Sequence, residues 1–103
     1  MNILINGHRY VAANFENPAS GQTIQFIQKE PSAPGETTLV TVNDGTTNEE
    51  VLRVLIDRMN FLQAKFPCRE NALVLTHLET ALLWLEKRTN DRKARGVEGT
   101  NQK

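Results

Sequence analysis

The chain is poor in the residues that carry covalent and metal chemistry. Its one cysteine, Cys68, excludes an intramolecular disulfide and a cysteine-rich zinc site. The two histidines, His8 and His77, are far apart in sequence, and neither lies in a metal-ligand spacing. No apolar run approaches the ~20 residues needed to cross a bilayer. The opening residues lack a charged segment followed by an apolar one, so a soluble intracellular protein with no membrane partner is expected. Net charge is missing too. Twelve basic and twelve acidic residues cancel, which gives no case for a binder of bulk nucleic acid. Hydrophobic residues make up 39% and aromatics 6%, a lean supply for a core. A domain of this size buries only about two-thirds of the surface its unfolded chain exposes. Stability is therefore expected to draw on self-association.

Catalytic constellations are absent as well. Gly96-Val-Glu-Gly99 is too short for a phosphate-cradling loop. Cys68 adjoins Arg69 but has no His or Asp partner nearby in sequence. The carboxylates fall in no recognisable pairing. The sequence predicts no catalytic residue, no metal site and no cofactor.

What is present is organised around a division near residue 46. Residues 1–45 read as strands: Ile3 to Ile5, an Asn6-Gly7 hairpin turn, Arg9 to Phe15, the alternating run Gly21 to Lys29, a Pro31 to Gly35 loop, and Glu36 to Val42. A small antiparallel meander of three or four strands is expected, too small to stand alone. Residues 46–95 read as two helices. Thr46 with Glu49, or Thr47 with Glu50, supplies a capping box. Val51, Leu52, Leu55, Met59, Leu62 and Phe66 follow at helical spacing until Pro67 breaks the run. The second helix, from Arg69, carries Leu73, Val74, Leu78, Ala81, Leu82 and Leu85. The short connection predicts an antiparallel helical hairpin. At ~1.5 Å per residue the second helix would reach roughly 40 Å and outrun the first. Residues 96–103 form a tail. The expectation is thus one α+β domain, a β-meander followed by a helical hairpin, in an oligomer.

The charge is concentrated at the end of the second helix. From Glu86 to Lys103, six basic residues stand against three acidic ones. Arg88, Arg92 and Arg95 fall at i, i+4 and i+7, which stacks three guanidiniums on one helix face. Like charges at that spacing repel, and an anion between them turns the cost into binding. A solvated helix end whose cations suit the negative helix terminus is the plainer alternative. Phe61 lies off the apolar stripe, on the face of Val54 and Arg58. It suits either a packing surface or a platform for a purine ring. Asn71, early in the second helix, suits either a helix start or the reading of an adenine edge. Trp84, on the face of His77, Ala81 and Arg88, reads as core or interface.

Three runs now come together: Phe66-Pro-Cys-Arg-Glu-Asn71, Leu78-Glu-Thr-Ala-Leu-Leu-Trp-Leu-Glu-Lys-Arg88 and Arg95-Gly-Val-Glu-Gly-Thr100. With Thr47-Asn-Glu-Glu-Val-Leu-Arg-Val-Leu-Ile-Asp-Arg58 before them, they resemble the hairpin of the phage Thoeris anti-defence sponges of the first type. The related anti-CBASS sponges share the hairpin and lack the strand region. The resemblance implies a binding protein that does no chemistry. It would sequester glycocyclic ADP-ribose, a signal made by bacterial TIR-domain proteins, in the cytoplasm of the infected host. Some members also take up cyclic oligonucleotides at a separate site. The family's base-stacking phenylalanine falls on Phe61, its base-contacting asparagine on Asn71, and its phosphate-binding arginines on Arg88 and Arg92. Arg95 and the tail after it would close over the ligand. The resemblance also implies a dimer or an assembly of dimers such as a hexamer. A second subunit's strand region would complete the pocket; there Arg9 and Lys29 are the cations considered. The competing reading is an oligomeric structural or nucleic-acid-associated small phage protein.

Overall fold

The computed structural model describes all residues from Met1 to Lys103. Two units emerge: residues 1–47 with 99–101, and residues 48–98 with 102–103.

The first unit contains five short antiparallel strands: β1 (Asn2–Ile5), β2 (Arg9–Ala13), β3 (Gly21–Gln25), β4 (Gln28–Pro31) and β5 (Leu39–Asn43). They form two sheets, β1-β2-β3 and β4-β5, where one meander is expected from the sequence. The alternating run from Gly21 to Lys29 is the source of the difference. Phe26 still bonds in register with β2, and the run breaks at Ile27, whose N–H leaves that ladder. Phe26 donates to the His8 carbonyl at 2.8 Å and Ile27 to the Thr46 carbonyl at 2.9 Å. Thr46 in turn donates to the Gln25 carbonyl at 2.8 Å. Gly45 allows that approach, since a Cβ there would sit 2.3 Å from the Gln25 oxygen. The Phe26 ring instead meets Tyr10 edge-on, centroids 6.0 Å apart. The second sheet also differs at its ends: β4 runs on through Pro31, and β5 starts only at Leu39. Residues 99–101 complete this unit. Thr100 bridges Thr38, Leu39 donates to the Gly99 carbonyl at 3.3 Å, and Asn101 to the Thr37 carbonyl at 3.1 Å.

The second unit is the hairpin of α1 (Asn48–Lys65) and α2 (Arg69–Ala94). α1 opens at Asn48, which puts Thr47 at the cap position and Glu50 three residues in. At the turn, the Gln63 amide accepts from the Cys68 N–H at 3.0 Å and donates to its carbonyl at 3.1 Å. Cys68 caps α2, its Sγ accepting from the Asn71 N–H at 3.4 Å. An Arg53–Glu86 ion pair at 3.3 Å sets the register between the helices.

The seam follows a heptad. On α2 the half-buried positions include Asn71, Leu75, Leu78, Leu82, Leu85 and Thr89, ending at buried Arg92. On α1 they include Glu49, Leu52, Ile56, Met59 and Gln63. Leu55, Phe66, Leu73, Val74 and Ala81, expected on the buried stripes, are exposed. No apolar side chain in the chain is fully buried.

Candidate functional site

The last turns of α2 build a cationic groove. α2, 26 residues against 18 in α1, carries its basic end past its partner. Gly96, in a left-handed conformation at φ 73°, ends it. Its N–H donates to the Lys93 carbonyl at 3.1 Å, and that of Val97 to the Arg92 carbonyl at 3.0 Å. This paired closure of the helix end turns the chain back along the helix. The groove, of about 380 Å³, is lined by Trp84, Lys87, Arg88, Asp91, Arg92, Arg95 and Lys103.

Its cations are not equivalent. Lys87 pairs with Asp91 at 2.6 Å. Arg95 donates to the Lys103 carbonyl. Arg92, expected at an exposed helix end, is the one buried charged side chain, 6% exposed. Its Nε donates to Glu98 at 3.1 Å, Nη2 to the Val97 carbonyl at 3.0 Å, and Nη1 to the Gln102 carbonyl. The Arg88 guanidinium bonds to no other residue. It is the one arginine of the groove that is unpaired.

Phe61 and Asn71 lie elsewhere on the hairpin. Phe61 is 55% exposed on α1, with the Lys65 ammonium 5.1 Å from its ring centroid. The Asn71 side-chain amide, half-buried on the seam, hydrogen-bonds to no other residue. At the helical rise, Asn71 and Arg88 stand about 25 Å apart along α2. The Arg53–Glu86 pair puts Phe61 roughly 15 Å along the hairpin axis from the level of Arg88. The three arginines are thus brought together, and the two base-reading candidates are not brought to them in one chain. In the first unit, Arg9 Nε is bonded to the Gln25 side chain and Lys29 lies exposed on β4.

Sequence reasoning missed Glu98. The signal was Gly96: a helix-ending glycine reverses the chain, so a carboxylate two residues later comes back against the last turn. Trp84, read as core or interface, is 66% exposed on the groove wall. No group of three or more His, Cys, Asp or Glu stands close enough to hold a metal ion, and no helix is long and apolar enough to cross a membrane.

Residues 23–90 match the model of the Acb2/Tad1 hairpin domain family. A relative, Thoeris anti-defense 1 of Bacillus phage SBSphiJ7, is 49% identical over 61 residues. That span is 58% of this chain and 43% of the relative, so the match takes in less than half of the relative's length. The family match takes in Phe61, Asn71 and Arg88 and stops short of Arg92 and Arg95.

Proposed function

The chain belongs to the Acb2/Tad1 hairpin domain family, and from that premise we propose that it is a phage anti-defence protein. It binds a cyclic nucleotide immune signal, glycocyclic ADP-ribose, in the host cytoplasm and holds it intact. The observation that carries this reading is the groove at the end of α2. There Arg88 stands unpaired among four further cations, on a chain whose basic and acidic residues cancel. Such local charge suits a diphosphate, which takes charge-assisted hydrogen bonds from arginine. Arg88 and Arg92 serve the phosphates, with Arg95 closing the groove. Phe61 stacks the adenine, and Asn71 reads its edge.

The separation of these residues along the hairpin supports a shared pocket. A ligand with one adenine and one diphosphate does not span the distance from Asn71 to Arg88. Two copies packed antiparallel about a two-fold axis would bring the Phe61–Asn71 end of one to the arginine groove of the other, twice by symmetry. Exposed apolar side chains on both helices, Leu55, Phe66, Leu73, Leu83 and Trp84 among them, supply the area for that contact. The working form is a dimer or an assembly of dimers.

The test is to incubate the protein with glycocyclic ADP-ribose, separate free from bound ligand, then heat and analyse the released fraction by mass. Intact ligand released only on heating is expected. A cleaved product would make the protein an enzyme. Failure to retain the ligand would remove the reading.

A further inference from the structure

Arg92 is held in a way that its neighbours Arg88 and Arg95 are not. Every nitrogen of its guanidinium donates to the segment after the helix, to Glu98, Val97 and Gln102. Val97 is gripped twice, because its N–H donates to the Arg92 carbonyl while its own carbonyl accepts from Nη2. The guanidinium is a rigid planar fork, so bonds on all three nitrogens fix both its position and its plane. Yet Arg92 lines the groove. Its plane is therefore set into the groove wall beside Arg88, and the Glu98 carboxylate is a charged group that sets it.

We propose that Glu98 is a positioning residue of the phosphate site. Its carboxylate holds the Arg92 guanidinium in the orientation in which it serves an anion bound beside Arg88. This inference rests on the reading of the groove as the phosphate site. Glu98 itself is half-exposed, at 43%, so its replacement leaves no buried cavity.

The experiment compares the parent protein with E98A and E98Q. Each is titrated calorimetrically with glycocyclic ADP-ribose, and the Arg92 Nε–Hε resonance is followed by NMR. Glutamine keeps an acceptor for Nε and loses the charge; alanine loses both. E98A should weaken binding about ten- to a hundredfold, the worth of one hydrogen bond to a charged group. E98Q should stay within about twofold of the parent, since the hold is kept. The ligand should shift the Arg92 resonance in the parent and in E98Q, but not in E98A. A merely structural Glu98 would lower the melting temperature of E98A and leave the ligand-induced shift in place, which overturns the proposal. Unchanged binding in both variants overturns it, as does tighter binding in both, which would make Glu98 a competitor of the ligand. An equal loss in both would make charge, not orientation, its contribution, and overturns it too. No binding by the parent overturns the groove reading together with the role of Glu98, whereas each other outcome leaves that reading standing.

Discussion

The two ends of the helical hairpin use one heptad seam for opposite purposes. At the closed end the seam finishes on Asn71, and the groups that clasp the turn are neutral: the Gln63 amide holding Cys68, and the Cys68 cap. At the far end it finishes on Arg92, among charged groups. Between them the α2 seam is leucine as far as Leu85, then Thr89. The closed end fixes its backbone and leaves the Asn71 side-chain amide unbonded. The far end satisfies its central guanidinium and leaves the flanking Arg88 unbonded. A recognition element needs both a rigid base and an unspent donor, and each end divides those tasks among different residues.

Arg88→Ala breaks the comparison most sharply. If Arg88 pairs with a desolvated phosphate, its loss should cost about 2–5 kcal/mol of binding to glycocyclic ADP-ribose by calorimetry. The melting temperature should not move, because the side chain is exposed and unbonded. Mixing Arg88→Ala with Asn71→Ala chains should restore binding at one site per dimer, since one pocket then receives both intact ends. No recovery on mixing would place both ends in one chain's pocket.

Phe61→Ala should weaken binding of any purine ligand by about 1–3 kcal/mol, because stacking tolerates the base. At 55% exposure the ring contributes little to folding, so the melting temperature without ligand should hold. A large drop would assign Phe61 to packing instead. Asn71→Ala should have a narrower effect. A lost amide contact should cost about 1–3 kcal/mol for adenine ligands and less for analogues without the 6-amino group, a difference readable by paired titrations. The smallest change sharpens the comparison from the structural side. Cys68→Ser replaces a weak sulfur acceptor with a preferred cap and should stabilise α2 by about 0.5 kcal/mol in denaturant melts, with binding unchanged.

Much of this arrangement was legible in the sequence. Pro67, the Thr47 and Glu50 pair and Gly96 mark the helix ends, because caps and breakers act through neighbouring backbone. The arginine spacing is equally local, and it does bring Arg88, Arg92 and Arg95 to one groove. Other features depend on distant partners. The alternation from Gly21 to Lys29 reads as one strand, yet the Thr46 carbonyl draws Ile27 out of it. Leu73 and Val74 look as apolar as Leu75, and only the facing helix decides that Leu75 lies on the seam. The spacing of Arg92 gives no hint that it is buried, because its partners lie beyond the helix. The distance from Asn71 to Arg88 could have been counted from the sequence.

The pairing of residues 99–101 with the loop before β5 has a consequence in time. A nascent chain emerges from its N-terminus, and units tend to fold in that order. Here the strand region is exported first, but its last hydrogen-bonding partners follow the whole helical segment. Sequence-distant contacts close slowly, because the loop between them must be ordered first. The hairpin, whose contacts are nearer in sequence, therefore forms while the β unit still lacks its final edge. The unit translated first is the unit completed last.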